Sequence, residues 1–355
     1  MRLAKLRKKM TELELDAVIV LDELNQHYLS EFAFTDGLLF ITKNTAYLIT
    51  DFRYYEMALN KANRSFEIVM PENRKEIIEK IISEEEIKTI GFEGNFVSYN
   101  TYRTYCDTYP ACNFINIGDT IEVIRQIKSD DEIAKMQKAQ DITDAALASL
   151  LKVITPEMTE LDVAVELEYA MRKGGADSFA FETIAVSGDA SALPHGTPRN
   201  VKLKPGFLTM DFGAKYDGYC ADMTRTIVIG KADDEIRRLY NTVLKAQTEA
   251  LNYLREGADC GEADKIARDI IDSIPEFKGA FGHSLGHSVG LFIHESPRLY
   301  SRGFGRKLNV GEILTVEPGI YLFGKYGCRI EDMVAITKDG IHNFTHSPKE
   351  LIEIL

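Results

Sequence analysis

The segment 207–229, FLTMDFGAKYDGYCADMTRTIVI, constrains the fold more than any other part of the chain. Apolar and β-branched residues flank the run KYDG at 215–218, and an Asp-Gly pair in that setting predicts a β-hairpin. A hairpin symmetric about the middle of this run places Asp211 directly opposite Asp222, with Cβ atoms roughly 4.5–5.5 Å apart. Facing like charges destabilise a hairpin unless a cation lies between them, so the pair predicts a divalent metal site. A solvated acidic pair, or a bulge that turns one Asp away, is the alternative.

A second acidic pair lies on a second predicted hairpin, which runs from Ile313 to Thr337. A turn centred on Gly324 places Glu317 opposite Glu331. If the two hairpins meet, four carboxylates gather in one place, and their charge matches two divalent cations. The sequence therefore predicts one metal site assembled from both hairpins.

Residues 126–355 form the predicted second domain, in which the order helix, helix, hairpin occurs twice. Ser129 with Glu132 has the pattern of a capping box that begins a long helix, and Thr159 caps the next one. Two further helical patterns cover 233–255 and 262–273. The repetition predicts a pseudo-twofold domain in which two sheet halves meet and the helices pack outside them.

Residues 1–125 form the predicted first domain. Strand patterns at 17–21, 37–41, 46–50, 66–70 and 89–92 alternate with helical patterns at 3–13, 55–63 and 74–83. This alternation predicts a small mixed α/β domain. The predicted fold class of the chain is therefore α/β (α+β), with a small N-terminal domain and a larger pseudo-twofold domain.

Charge and cysteine content limit the partners and the compartment. The net charge is −13 and the basic residues are scattered, which disfavours nucleic acid as a partner. No apolar run approaches membrane-spanning length, and the basic N-terminus lacks the apolar region of a signal peptide. Five cysteines without a C-x-x-C pair favour free thiols in the cytoplasm.

The segment 281–297, FGHSLGHSVGLFIHESP, supplies candidate nitrogen ligands. His283, His287 and His294 lie among glycines spaced four apart, which disfavours a zinc-binding helix and indicates backbone packed closely against other groups. A glycine-rich turn with core histidines is the alternative.

Together these residues resemble the pita-bread (creatinase-fold) metallopeptidases, and among them most closely the Xaa-Pro dipeptidases (prolidases) and Xaa-Pro aminopeptidases. The resemblance is carried by M-D-x-G, A-D-x-T-R-T, G-H-x-x-G-H-x-x-G with H-E, V-E-P-G-I-Y and R-I-E-D, and in the first domain by TDFRYYEMA. It implies a creatinase-like N-terminal domain, a pita-bread catalytic domain and a homodimer. It also implies five ligands to two divalent ions, which are Asp211, Asp222, His287, Glu317 and Glu331.

The implied reaction is hydrolysis of the Xaa-Pro bond in dipeptides or short proline-containing peptides. A hydroxide that bridges the two ions attacks the carbonyl before proline, and Glu317 carries the proton to the leaving nitrogen. His294 polarises the carbonyl or stabilises the oxyanion, and His195 holds the substrate. Mn²⁺ is the first expectation for the metal, with Co²⁺, Zn²⁺ and Fe²⁺ as alternatives.

Three further residues are expected to bind the substrate. His283 lines the proline side of the pocket in this interpretation. Arg329 lies two residues before Glu331 and orients a carboxylate or a substrate end, with a structural ion pair as the alternative. Tyr321 donates a hydrogen bond near the site, unless it is a core tyrosine.

Other functions remain open at this stage. A methionine-aminopeptidase-like enzyme shares the fold, but the additional N-terminal domain disfavours it. A metal-free amidinohydrolase would leave the acidic pairs without counter-charge. A non-catalytic binding module with the same fold is expected to have substituted ligands, whereas all five positions are filled here.

Overall fold

The computed structural model describes residues 2–355, so residue 1 of the predicted first domain lies outside the described residues. The chain forms two compact units, the first ending at Arg125 and the second running from Gln126 to Leu355. Across residues 2–355, no helix is both long enough and apolar enough to cross a membrane.

The first unit is built on one six-stranded mixed sheet with the order β4-β3-β2-β1-β5-β6. Its strands are β1 Ala17–Val20, β2 Leu38–Thr42, β3 Ala46–Ile49, β4 Glu67–Val69, β5 Thr89–Phe92 and β6 Asn113–Asn116. Its helices are α1 Arg2–Glu12, α2 Glu23–Ser30, α3 Phe52–Lys61, α4 Arg74–Glu84, α5 Tyr99–Thr108 and α6 Thr120–Gln126, the last of which ends one residue into the second unit. Its core includes Ile19, Phe40, Ile49, Ile78 and Ile90.

Helix α2 shows why some elements of this unit escape sequence reasoning. The helix begins after Asp22, whose side chain accepts a hydrogen bond from the Leu24 N–H. Its buried positions include Asn25 and Gln26, so no apolar stripe at helical spacing marks it. Helices α5 and α6 and strand β6 are likewise absent from the predicted elements.

The second unit contains two pairs of long helices, each followed by strands. The helices are α7 Asp130–Leu150, α8 Glu160–Lys173, α9 Asp234–Tyr253 and α10 Cys260–Asp272. The strands before α9 are β7 Ser178–Phe179, β8 Ile184–Ser187, β9 Gly206–Phe212, β10 Ala214–Tyr216, β11 Tyr219–Cys220 and β12 Met223–Ile229. Those after α10 are β13 Gly286–Ser288, β14 Glu295–Leu299, β15 Ile313–Val316, β16 Gly319–Leu322, β17 Tyr326–Arg329, β18 Asp332–Thr337, β19 Gly340–Asn343 and β20 Glu353–Ile354.

The two larger sheets of this unit repeat one arrangement. One has the order β20-β12-β9-β8 and the other β14-β13-β15-β18-β19, so β8-β9-β12 corresponds to β13-β15-β18. Helices α7 and α8 share a core with Leu208, Met210 and Ile227, whereas α9 and α10 share one with Leu314 and Val334. Because side chains alternate along a strand, the neighbours of these core residues, Asp211 among them, project from the opposite face.

The predicted register of the first hairpin is wrong, because the centre of the turn lies one residue later than predicted and each cross-strand partner is shifted by two residues. Asp211 pairs with Thr224, and Tyr216 pairs with Tyr219, so Asp222 does not lie directly opposite Asp211. The turn consists of Asp217 and Gly218 alone, both with positive φ, +47° and +82°. A two-residue turn of this kind requires positive φ at both central positions, and Asp-Gly satisfies that requirement when it occupies both of them.

The predicted register of the second hairpin is confirmed. Val316 pairs with Asp332 in the outer ladder, and Gly319 pairs with Arg329 in the inner one. Glu317 and Glu331 lie between these two ladders and continue the same register, so they face each other. Gly324, with φ of +71°, lies at the centre of the turn, as predicted.

Candidate metal centre

Three carboxylates from the two hairpins converge. Asp211 is the penultimate residue of β9, Asp222 precedes β12 and Glu331 lies between β17 and β18. One carboxylate oxygen from each residue can be selected so that the three oxygens all lie within 4.8 Å of one another. Asp222 is 4 % exposed and Glu331 1 % exposed, so both are buried, whereas Asp211 is half-buried. The two aspartates therefore come together although their strand register differs from the prediction.

Glu331 is attached to the first hairpin by bonds from β12. Its N–H donates to the Thr224 carbonyl at 3.1 Å, and its Oε2 accepts from the Thr224 hydroxyl at 2.7 Å. Arg225 donates to the Glu331 carbonyl and to Asp332 Oδ1, the latter at 2.8 Å. Because Arg225 and Asp332 are both buried, this ion pair fixes the second hairpin against the first.

His287 and Glu317 extend the cluster on one side. His287 Nε2 lies 3.5 Å from Asp222 Oδ2 and 3.5 Å from Glu317 Oε1. The other ring nitrogen, Nδ1, lies 3.1 Å from the Ser288 carbonyl, which can only accept, so Nδ1 carries the proton and Nε2 is free to bind a cation. Burial, and then the charge of His294, lower the pKa of His287 to about 4, so the imidazole is neutral at neutral pH.

The carboxylates cannot all ionise without a counter-charge. Burial and the neighbouring carboxylates raise the pKa values of Asp222 and Glu331 well above their ordinary range. Burial raises the pKa of Glu317 to about 8, against the opposing charge of Arg329. Two buried oxygens, Asp211 Oδ1 and Glu331 Oε1, have no hydrogen-bond partner among residues 2–355. Orphaned oxygens, crowded negative charge and one neutral imidazole are the donor set that fits divalent cations.

The residues predicted to bind substrate are hydrogen-bonded to one another. Arg329, 3 % exposed, donates to Asp211 Oδ2, to the Tyr321 hydroxyl (2.7 Å each) and to the Thr224 hydroxyl. The Tyr321 hydroxyl lies 2.9 Å from His283 Nε2, and His283 Nδ1 lies 2.9 Å from the Ser284 carbonyl. Burial, and then the charge of Arg329, lower the pKa of His283 to about 3, so its ring is neutral and its Nε2 accepts a hydrogen bond from the Tyr321 hydroxyl.

His195 and His294 are exposed and line a cleft of about 770 Å³ that opens onto the carboxylates. The His294 ring packs edge-on against that of His287, with centroids 4.5 Å apart. Leu161, Val165, Phe181 and Ile184 also line the cleft. The structure thus places every sequence-predicted site residue in or beside one cleft.

Sequence reasoning gave no role to two residues that hold this arrangement. Thr224 and Arg225 form the ties between the hairpins, and their place in the motif A-D-x-T-R-T is the signal that could have drawn attention to them. Arg298 also lines the cleft, as the cross-strand partner of His287. No sequence signal marks it, because the pairing of β13 with β14 depends on the fold.

Both units of the chain match known protein families. Residues 134–338 match metallopeptidase family M24, and residues 2–127 match the creatinase/prolidase N-terminal domain. The chain belongs to metallopeptidase family M24. The predicted fold class, a creatinase-like domain followed by a pita-bread domain, and the predicted class of enzyme, a metallopeptidase hydrolase, are confirmed. Membership of this family implies divalent metal ions as cofactors.

Similar proteins carry two kinds of name. The chain is 37 % identical to the Xaa-Pro dipeptidase of Pyrococcus furiosus, over 99 % of each chain. Among solved structures, the Xaa-Pro dipeptidase from Bacillus anthracis is 40 % identical over 99 % of each chain, with a TM-score of 0.94. The X-Pro aminopeptidase from Thermotoga maritima is 34 % identical over 98 % of this chain and 100 % of its own, with a TM-score of 0.92. Overall similarity therefore does not separate the two activities.

Proposed function

We propose that this M24 enzyme hydrolyses the N-terminal Xaa-Pro bond of dipeptides or short peptides. The observation that carries the proposal is the cluster of Asp211, Asp222 and Glu331, which fits bound cations. Asp211 and Glu331 each have a buried oxygen without a hydrogen-bond partner among the described residues, and the pKa values of Asp222 and Glu331 are raised. The names of the M24 relatives support the substrate class.

In the proposed site, two divalent cations are held by Asp211, Asp222, His287, Glu317 and Glu331. Cations there would supply Lewis-acid activation of water and of the scissile carbonyl. Mn²⁺ is the proposed metal, because an oxygen-rich set with a single imidazole suits it, and Co²⁺, Zn²⁺ and Fe²⁺ are the competitors.

The chain's own side chains would manage protons and substrate. Glu317 lies at the cluster, with its Oε1 3.5 Å from His287 Nε2, and we assign it the transfer of the proton to the leaving nitrogen. His294 and His195, both exposed in the cleft, are positioned to donate to the substrate carbonyl and its oxyanion. Arg329 and Tyr321 hold Asp211 and His283 in place, which assigns them to orienting the site.

A proline-specific site is consistent with this cleft. The bond before proline is a tertiary amide without an N–H, so a peptidase cannot bind it by strand pairing alone. A shaped cleft with ring-bearing and apolar walls, such as His283 and Phe181, binds the proline instead by packing.

The first test is hydrolysis of Ala-Pro and Ala-Pro-Pro-Ala by protein stripped of metal and supplied with Mn²⁺, Co²⁺, Zn²⁺ or Fe²⁺, with metal content measured after dialysis. We expect turnover and about two bound ions per chain. Asp222→Ala is expected to lose activity and bound metal together, because it removes the most buried aspartate of the cluster. His294→Ala is expected to lose rate and keep the metal.

The matched control is Asp339→Ala, which removes an exposed aspartate outside the cleft. Absence of bound metal would favour a non-catalytic module, whereas preference for an N-terminal methionine without proline would favour a methionine-aminopeptidase-like enzyme. Full activity in Asp222→Ala would show that the site is misplaced.

We further propose a cytoplasmic homodimer. All five cysteines are free thiols, which supports a reducing compartment. The dimer rests on family resemblance alone, and sedimentation of the purified chain tests it directly.

A further inference from the structure

We propose that Lys128 is a positioning residue, which acts through Glu295 to hold the ring of His294 in the cleft. The inference rests on the proposed peptidase function, in which His294 donates to the substrate carbonyl, and goes beyond it by giving a role to a side chain that does not line the cleft. It is carried by a buried ion pair and by an irregularity in the ladder between β13 and β14.

The β13–β14 ladder is irregular where two cleft histidines come together. From His287 to Ser288 the partner on β14 changes by three positions instead of one, so Ser288 pairs with Glu295 and two residues of β14 are left over. A regular antiparallel ladder advances both strands by one residue at each step, which would set His294 two residues, or roughly 7 Å, farther from His287. The irregularity therefore brings the two rings into contact, with centroids 4.5 Å apart.

Lys128 holds the irregular pair from the face of the sheet opposite the cleft. Its Nζ donates to Ser288 Oγ at 3.3 Å and to Glu295 Oε2 at 3.2 Å. The Lys128 side chain is 1 % exposed and that of Glu295 10 % exposed, so the ion pair is buried. Neighbouring residues of a strand project from opposite faces, so these two partners point away from the face on which His287 and His294 meet. Lys128 thus fixes the residue that follows each histidine.

The other oxygen of Glu295 holds the turn that leads into His294. Glu295 Oε1 accepts a hydrogen bond from the Phe292 N–H at 3.2 Å, and the Gly290 N–H donates to the Phe292 carbonyl at 3.1 Å. A Cβ on Gly290 would lie 2.6 Å from Glu295 Oε2, so the missing side chain lets the carboxylate lie against the turn. A buried ion pair adds little net stability once desolvation is counted, so what this pair contributes is the geometry of the turn.

The experiment is a double-mutant cycle between Lys128 and His294, with kcat and KM measured on Ala-Pro for the metal-loaded enzyme. We expect Lys128→Met to lower kcat by about 10–100-fold with little change in KM or in bound metal, because a donor to the carbonyl is displaced. In the His294→Ala background the same change should cost less than about twofold, since residues that act as a unit are not additive. Lys128→Arg keeps the charge and should recover part of the rate.

Two additional measurements separate positioning from a loss of folding. Lys128→Met leaves the carboxylate of Glu295 without this cation, so Lys128→Met/Glu295→Gln, which removes both charges, should lose kcat to a similar degree with a melting temperature closer to that of the wild type. In metal-free protein, amide hydrogens of 290–295 should exchange faster in Lys128→Met than in the wild type. Lys138→Met, which removes an exposed lysine of α7, should change neither kcat nor this exchange.

The outcomes distinguish this inference from the proposed function. If Lys128→Met keeps the wild-type kcat, or if its loss multiplies with that of His294→Ala, the positioning role is wrong and the peptidase function stands. If the wild type does not hydrolyse Ala-Pro with any of the four cations, the proposed function itself fails. The exchange of 290–295 then still decides whether Lys128 fixes the turn, and unchanged exchange in Lys128→Met would overturn that part as well.

Discussion

The two carboxylate oxygens of Glu331 differ in their hydrogen bonding. Its Oε2 is bonded to Thr224, its Oε1 is buried without a hydrogen-bond partner among the described residues, and its own main chain is fixed by Arg225. A buried acceptor left in this state costs about 1–3 kcal/mol. Such a cost is retained in a fold when the atom serves a ligand, which is the reason for assigning it to a cation.

The free energy of unfolding of the metal-free protein should depend on pH, because burial raises the pKa of Glu317. Glu317 has a pKa of about 8 in the folded chain against an ordinary value of 4.5. Because the folded state favours the neutral carboxyl, its contribution to stability is complete below pH 4.5 and is lost as the pH rises toward 8. We expect the free energy of unfolding in EDTA to fall by up to about 1.4 kcal/mol per pH unit from this group.

Urea denaturation between pH 5.5 and pH 7.5 measures this slope. Asp222 and Glu331, whose pKa values are also raised, act with the same sign. Glu317→Gln removes one titrating group and should flatten the dependence. Stability that rises with pH over this interval would contradict the assignment of raised pKa values.

At the scale of elements, two hairpins of similar sequence pattern were predictable to different degrees. Glu317 and Glu331 could be paired from the sequence because Gly324 marks the middle of the turn and both arms keep one register. Asp211 and Asp222 could not, because an Asp-Gly pair fits either the end of a four-residue turn or the whole of a two-residue turn. The residues that join the hairpins, Thr224 and Arg225, depend on tertiary packing that no local pattern encodes.

The glycine-rich histidine segment offers a test of element packing. A Cβ on Gly286 would lie 2.0 Å from the Thr315 carbonyl oxygen, which is strand backbone and cannot move aside. Since Gly286 directly precedes His287, Gly286→Ala should separate β13 from β15, destabilise the fold by roughly 1–3 kcal/mol and reduce metal retention.

Gly282→Ala is the matched control, four residues earlier in the same segment. A Cβ there meets no atom within 4 Å, so its effect should stay within about 0.5 kcal/mol. Thermal unfolding and metal content of the two variants measure the difference. Equal effects would show that close packing of β13 does not position His287.

At the scale of the whole molecule, the proposed metal ligands all belong to the second unit. The first unit has its own core, and its residues contribute no carboxylate to the cluster. A ligand at 100 times its Kd stabilises the state that binds it by about 2.7 kcal/mol. We therefore expect divalent metal to slow hydrogen exchange in 207–229, 283–295 and 313–337, and to leave exchange within 2–125 unchanged.

Hydrogen exchange of the full chain in Mn²⁺ and in EDTA measures this pattern. Asp222→Ala provides the comparison, because it should show no response to metal in any segment. Equal slowing throughout residues 2–355 would instead indicate that the two units respond to metal as one.

The bonds from Thr224 and Arg225 to Glu331 have a consequence for how the protein is made. The proposed ligands run from Asp211 to Glu331, so a growing chain on the ribosome carries two of the five, both aspartates, long before the other three exist. Until the last hairpin is synthesised, nothing fixes the early aspartates around an ion. With the proposed ligand set, we therefore expect metal capture to follow synthesis of the last hairpin.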